Sequence, residues 1–229
     1  MSSIVRAQPL LFPATARHTA TVIFVHGLGD TGHGWASAVE NWRRRERLNE
    51  VKFILPHAPK IPITCNGGGK MSGWYDIVSL ELPIPCAGGR LTATAQHTID
   101  GNAESLRKNE DEAGILLSQA YFHDLIQKEI DSGIPSDRIV VGGFSQGGAM
   151  SLFAGLTAKV KLAGIVALSS YLLLSLKFAD LLPKPEFNKA TPILMAHGDR
   201  DRVVNTELGK RSFDLLNEMG YNATLKIYA

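Results

Sequence analysis

The chain has 229 residues, a length that suits one large α/β domain. Apolar residues make up 45% of it and charged residues 20%, a balance that argues against global disorder. The formal net charge of +2 is too close to zero to indicate nucleic acid as a partner. The N-terminus lacks the apolar core of a signal peptide, and the longest apolar stretch, residues 162–176, is shorter than a membrane span. We therefore expect a soluble protein of a reducing compartment.

Strand-like runs alternate with helix-like runs along the chain. Strands are predicted at residues 20–25, 51–55, 138–143, 164–168, 192–196 and 223–228, and helices at 112–131 and 206–219. The apolar face of the first of these helices would carry Ile115, Leu116, Phe122, Leu125 and Ile126. The repeated order of strand and helix predicts a mostly parallel central sheet with helices on both faces. We expect a single domain over residues 1–229.

Two regions depart from this pattern. Residues 81–102 show no apolar periodicity, and a structureless stretch of this length inside a compact domain is unusual. We expect them to form an exposed, poorly ordered insertion without a catalytic group. The chain ends at Ala229, directly after the last predicted strand, and we expect a truncated C-terminus. The two cysteines, Cys65 and Cys86, indicate neither a disulfide framework nor a metal site.

The densest basic cluster is Arg43–Arg47, near the end of a probable helix. Cations at this position suit the helix dipole, so a solvated helix end is the favoured interpretation. Contact with an anionic membrane surface is the alternative.

The segment Gly143–Gly147 fits the G-x-S-x-G pattern of a nucleophile elbow. An apolar strand precedes it and a small-residue helix follows it, which is the context that the motif requires. In such a turn Ser145 would stand clear of the sheet with its hydroxyl exposed, and the helix N-terminus would favour negative charge beside it. The sequence thus predicts Ser145 as a nucleophile. The alternative is a purely structural glycine-rich turn.

A serine nucleophile needs a base, usually a histidine that a carboxylate orients. In α/β-hydrolases the carboxylate follows a later strand, and the segment His197–Asp201 fits that position. Both Asp199 and Asp201 are candidates, and their spacing does not choose between them. A third interpretation is that both aspartates only form a turn.

An oxyanion hole needs two backbone N–H groups. One would belong to Gln146, directly after the nucleophile, and the other to the loop His26–Asp30 after an early strand. We interpret His26 as a structural residue that closes this loop, with a role as base the less favoured alternative. None of the seven histidines follows Asp201. The position expected for the base is a loop just after the strand that ends at Tyr228.

Five segments together resemble the acyl-protein thioesterase family: Phe24–Trp35, Pro56–Pro59, Trp74–Asp76, Gly142–Ala149 and His197–Asp201. These are small cytosolic serine hydrolases, also described as lysophospholipases and carboxylesterases. The resemblance implies an α/β-hydrolase fold in which Ser145 is the nucleophile and Asp201 the acid. It also implies the backbone amides of Leu28 and Gln146 as oxyanion donors, with no metal and no organic cofactor.

The same resemblance implies an activity and a location. The family removes long acyl chains, such as palmitoyl, from protein cysteines through an acyl-enzyme intermediate. The implied partners are S-acylated proteins and long-chain acyl substrates, with transient contact to a membrane surface and none to nucleic acid. The implied location is the cytoplasm, with the nucleus as a second compartment, and the implied process is fatty-acid and lipid metabolism.

The chain departs from the family pattern at the two regions noted above. Residues near 81–100 are extra, and the family's histidine loop and final helix are absent after Tyr228. A translated intron and a prematurely ended reading frame would explain both. The alternative hypothesis is a truncated, catalytically dead protein that binds acyl groups or partners.

Overall fold

A computed structural model describes residues 6–78 and 110–229. The predicted insertion at 81–102, including Cys86, lies outside the described residues. Nine strands occur among the described residues: β1 (Leu10–Phe12), β2 (Ala20–Val25), β3 (Val51–Leu55), β4 (Lys60–Ile63), β5 (Gly69–Ser72), β6 (Ile139–Phe144), β7 (Gly164–Leu168), β8 (Ile193–Gly198) and β9 (Ala223–Tyr228). The α-helices are α1 (Ala36–Arg44), α2 (Glu112–Asp131), α3 (Gln146–Leu156), α4 (Phe178–Leu181) and α5 (Thr206–Glu218).

Seven strands form the central sheet in the order β1-β3-β2-β6-β7-β8-β9. All neighbours in this sheet are parallel except β1, which pairs with β3 in the antiparallel direction. The carboxyl ends of the parallel strands therefore meet at one edge of the sheet, which we call the carboxyl edge. In open α/β sheets, sites form at this edge because the loops that follow several strands come together there.

Helices cover both faces of the sheet because the strands are apolar on both sides. On one face, α2 packs with Phe122 and Ile126 buried, and every residue of α3 is buried. On the other face, α1 contributes Val39 to a cluster that includes Phe24 and Phe53. This arrangement confirms the predicted mostly parallel sheet with helices on both faces.

The structure also corrects details of the sequence prediction. Strand β8 extends two residues past the predicted end at 196, to Gly198, because its pairing with β9 continues to Tyr228. Leu116 is only half-buried in α2, whereas the other four residues predicted on that face are buried. The short strand β1, the two-stranded sheet of β4 and β5, and the single-turn helix α4 were not predicted.

Candidate active site

Ser145 occupies a sharp turn between β6 and α3. Its backbone has φ 54° and ψ −124°, a combination that L-residues rarely adopt. The Ser145 N–H donates to the carbonyl oxygen of Leu168 at 2.8 Å, which helps to hold the strained turn in place. The residue is half-buried, and the first turn of α3 begins directly after it. The structure therefore places Ser145 as the predicted elbow requires, at the carboxyl edge.

The glycines of the motif leave room for backbone that passes close to the turn. A Cβ atom at Gly143 would lie 2.5 Å from the carbonyl oxygen of Gly147 and 2.6 Å from that of Val25. A Cβ atom at Gly27 would lie 3.3 Å from the Cβ atom of Ser145. The loop after β2 thus runs directly beside Ser145, where an oxyanion hole would need it.

Two backbone N–H groups are available beside Ser145. Within the described ranges, neither the N–H of Leu28 nor that of Gln146 donates a hydrogen bond to a protein group. Gln146 is the first residue of α3, so its N–H points out of the helix N-terminus, where the helix dipole favours negative charge. The two residues named by the resemblance as oxyanion donors therefore lie on adjacent loops at the carboxyl edge.

His26 is bound within the loop that follows β2. Its ring is fully buried; Nδ1 lies 2.7 Å from the carbonyl oxygen of Gly27, and Nε2 lies 3.1 Å from the backbone nitrogen of Ala58. A carbonyl oxygen only accepts and a backbone N–H only donates, so these contacts fit a neutral ring protonated on Nδ1. Burial lowers the pKa of His26 below its ordinary value of 6.5, and the hydrogen bond to Gly27 partly opposes this shift. These contacts favour a structural role for His26, because both ring nitrogens already have partners.

The two candidate acids differ sharply in their surroundings. Asp201 is half-buried, and its Oδ1 accepts hydrogen bonds from the backbone N–H groups of Val203 and Val204, both at 2.9 Å. Asp199 is exposed, and its carboxylate has no hydrogen bond to any of the described residues. Asp201 therefore has a fixed orientation that leaves Oδ2 available, which is what a residue that orients a histidine needs.

His197 stabilises the loop that carries Asp201. The ring is buried, and its Nε2 donates to the carbonyl oxygen of Val204 at 2.7 Å. The same Nε2 lies 3.6 Å from Oδ2 of Asp201. The hydroxyl of Thr206 donates to the carbonyl oxygen of Gly198, and this hydrogen bond joins the two ends of the loop. His197 is too deeply engaged in this loop to act as a base for Ser145.

No histidine in the described parts of the chain forms a hydrogen bond with Ser145. The end of β9 nevertheless lies next to the acid loop, since the Asp199 N–H donates to the carbonyl oxygen of Tyr228 at 2.8 Å. The position predicted for the base, just after Tyr228, is therefore next to the loop that carries Asp201, at the carboxyl edge.

One set of contacts at the site has no signal in the sequence. The side-chain amide of Gln146, which is 3% exposed, accepts a hydrogen bond from the N–H of Trp74 and donates one to the carbonyl oxygen of Tyr75. The partners are more than 70 positions apart in the chain. Only the fold brings them together, although Trp74–Asp76 is one of the five segments that carry the family resemblance.

The sequence profile of the phospholipase/carboxylesterase family matches residues 8–87 and 97–229. Acyl-protein thioesterase 1 of Neurospora crassa is 72% identical over 228 residues, which cover 100% of this chain and 85% of the relative. Acyl-protein thioesterase 1 of Gibberella zeae is 57% identical over 223 residues, with 97% of this chain and 87% of the relative covered.

Solved structures show the same fold. Acyl-protein thioesterase 2 of Zea mays matches with a TM-score of 0.73 and 26% identity over 96% of this chain and 89% of its own. Arabidopsis thaliana SOBER1 matches with a TM-score of 0.73 and 29% identity over 93% of this chain and 89% of its own. The predicted resemblance and the α/β-hydrolase fold are confirmed: the chain belongs to the phospholipase/carboxylesterase family and, within it, to the acyl-protein thioesterases.

Proposed function

We propose that this protein is a serine hydrolase that removes palmitoyl-type acyl groups from protein cysteines, with Ser145 as its nucleophile. Lysophospholipase and carboxylesterase activities would use the same chemistry on oxygen esters. The observation that carries the proposal is the strained Ser145 turn, which faces two unengaged backbone N–H groups at one edge of the sheet. A rare backbone conformation of this kind persists only where the surrounding structure enforces it, and such sites are typically functional.

The geometry supports a two-step reaction. Ser145 Oγ would attack the thioester carbonyl carbon while a base takes its proton, and the carbonyl oxygen would become an oxyanion that accepts hydrogen bonds from Leu28 and Gln146. The carbon–sulfur bond then breaks, and the cysteine leaves as a thiol with the proton from the base. Water attacks the acyl-enzyme in the same way, which releases the fatty acid and restores Ser145.

We propose that the base is a histidine in sequence that continues past Tyr228. Ser145 follows β6 and Asp201 follows β8, so one strand, β7, separates them in the sheet. Neighbouring strands are roughly 4.8 Å apart, which gives a gap of about 10 Å for a side chain to bridge. The end of β9 lies beside Asp199, so a chain that continues from it starts next to the loop that carries Asp201. Asp201 Oδ2 would then orient its ring.

The proposed substrate class is supported by the names of the relatives and by an apolar side chain at the site. Phe144 lies directly before Ser145 and is 41% exposed, with its ring centroid 5.9 Å from that of Trp35. An exposed aromatic surface beside the nucleophile suits an acyl chain. The matched relatives carry the names of thioesterases, and nothing among them favours the catalytically dead alternative.

Membrane contact and a cytoplasmic location stay predictions. The structure argues against membrane contact through the basic cluster Arg43–Arg47. This cluster lies just before the start of β3 at Val51. Since β3 is parallel to β2 and β2 to β6, this cluster lies at the opposite edge of the sheet from Ser145. A membrane bound through these arginines would face away from the nucleophile. None of the described helices combines the length and apolar character needed to cross a bilayer.

The proposed function is tested by Ser145→Ala with Ser37→Ala, an exposed serine in α1, as the matched control. Hydrolysis of a palmitoyl thioester and labelling by a fluorophosphonate are measured in the 229-residue chain and in a chain continued past Ala229 with a histidine-bearing segment. We expect Ser145→Ala to abolish labelling and to lower turnover by about three orders of magnitude or more, because members of a catalytic triad act as a unit. Labelling or hydrolysis that persists in Ser145→Ala would overturn the assignment.

A further inference from the structure

The two proposed oxyanion donors belong to different loops, so something must fix their separation. Leu28 lies in the loop after β2, and Gln146 begins α3 after β6. Stabilisation of an oxyanion depends on donors held about 2.7–3.1 Å from the developing charge. A shift of either loop by a few tenths of an ångström would weaken one of the two hydrogen bonds.

The side chain of Gln146 binds the segment Ser72–Tyr75 on the side of α3. Its Oε1 accepts from the backbone N–H of Trp74 at 2.9 Å, and its Nε2 donates to the carbonyl oxygen of Tyr75 at 2.8 Å. Both hydrogen bonds are buried, so leaving either group without a partner would be costly. The residue that would supply one oxyanion donor is thereby fixed to this segment.

The same segment binds the other loop on both sides of Leu28. The indole Nε1 of Trp74 donates to the carbonyl oxygen of His26 at 2.8 Å. The backbone N–H of Gly29 donates to the carbonyl oxygen of Ser72, also at 2.8 Å. The backbone that presents the Leu28 N–H is therefore held on both sides, at His26 and at Gly29.

The segment has an anchor of its own away from Ser145. Trp74 is 2% exposed, and its ring centroid lies 4.9 Å from that of Phe122 in α2. The hydroxyl of Ser118, also in α2, donates to the carbonyl oxygen of Trp74. These contacts anchor the segment to α2. Because the segment also binds both loops, it can fix their positions relative to each other.

We propose that Ser72–Tyr75 is a positioning segment whose central residue, Trp74, sets the separation between the two oxyanion donors. This inference rests on the proposed function, since it assigns a role within the same site. Trp74 contacts no reacting atom in this account. It acts through Gln146 on one side and through His26 on the other.

The proposal predicts a particular kinetic signature for loss of the indole N–H. The oxyanion forms only on the way to the tetrahedral intermediate, so its donors affect the chemical step and not substrate binding. Removal of a whole oxyanion donor typically costs about 10²–10³ in kcat, and a misplaced donor should cost less. We expect kcat to fall by about ten- to a hundredfold while KM stays within about twofold.

The experiment replaces Trp74 by Phe, and separately by 3-benzothienylalanine, which keeps the shape of the indole and lacks only its N–H donor. The control is Trp42→Phe, because the Trp42 indole packs on Phe24 and Phe53 and makes no hydrogen bond to any described residue. The backbone amide signals of Leu28 and Gln146 are followed by ¹⁵N NMR. Thioester kcat and KM are measured in the form of the chain that shows Ser145-dependent turnover.

We expect both Trp74 replacements to move the Leu28 amide signal and lower kcat, and Trp42→Phe to do neither. If the amide signals of Leu28 and Gln146 do not move in the benzothienyl variant, the proposal is overturned, whatever the activity of that variant. Moved signals with an unchanged kcat would also overturn it. Failure of the proposed function would appear separately, as turnover that survives Ser145→Ala.

Discussion

A Cβ atom on Gly147 would lie 2.2 Å from the carbonyl oxygen of Val25 and 2.4 Å from that of His26. Real Cβ atoms essentially never come within 3.0 Å of a heavy atom outside their own residue and its chain neighbours. The start of α3 therefore packs directly on the backbone that leads from β2 into the proposed oxyanion loop. Any side chain at this position must push apart the two loops that meet at Ser145.

Gly147→Ala should for this reason damage both stability and activity. The obstructing atoms are backbone, which cannot rotate away, so the cost should reach the upper end of the usual range for overpacking, about 3 kcal/mol. The control is Gly164→Ala in β7, where the nearest atom to a new Cβ would be 3.6 Å away. Urea unfolding of both variants checks the prediction. Equal free energies of unfolding would show that the two loops separate easily.

Asp201→Asn should slow the chemical step by about 10⁴, the loss seen when a triad histidine takes the wrong tautomer. The asparagine keeps an oxygen for the N–H groups of Val203 and Val204, so the loop should keep its fold. Asp199→Asn is the control, since its carboxylate is exposed, and its kcat should stay within about twofold. Kinetics that rank the two variants in the reverse order would assign the acid to Asp199.

The buried ring of His26 should make stability depend on pH. Burial lowers the pKa of His26 below 6.5, so below that pH the unfolded chain binds a proton that the native state excludes. The free energy of unfolding then falls as pH drops from 7 through 6.5 and on toward the lower pKa of the native state. His26→Gln should flatten this dependence between pH 7 and 5.

The flattening should be partial, because burial also lowers the pKa values of His57 and His123 in the native state. Urea titrations at several pH values give, for each protein, the slope of the free energy of unfolding against pH. If His26→Gln has the same slope as the unaltered chain, His26 is not excluded from protonation in the native state.

A histidine placed a few residues past Tyr228 should raise esterase turnover relative to the 229-residue chain. A general base typically contributes about 10²–10⁴ to the rate. The matched control is the same continuation with glutamine in place of the histidine. Equal turnover in the three proteins would contradict the proposal that the base lies past Tyr228.

The sequence predicted the sheet well because most of its strands are short runs rich in apolar and β-branched residues. The runs at 20–25, 51–55, 164–168 and 223–228 match strands β2, β3, β7 and β9 to the residue. The β4–β5 hairpin was not predicted because Pro62 and the glycines at 67–69 carry no strand signal. Propensity is a weak guide to such short elements.

For the site, the sequence indicated which loops meet but not how they are fixed. The motif spacing left Asp199 and Asp201 equivalent, whereas the structure separates them by burial and by the two backbone hydrogen bonds to Asp201. The bonds from Gln146 to Trp74 and Tyr75 join residues 71 or 72 positions apart, so no local pattern could report them.

The most direct test of the account is to look for the acyl-enzyme itself. The protein is mixed with a palmitoyl thioester, quenched in acid within the first turnover, digested, and read by mass spectrometry. We predict a palmitoyl adduct on the peptide that contains Ser145, and none on the same peptide of Ser145→Ala. Hydrolysis that proceeds without that adduct, or an adduct on a different residue, would contradict the account.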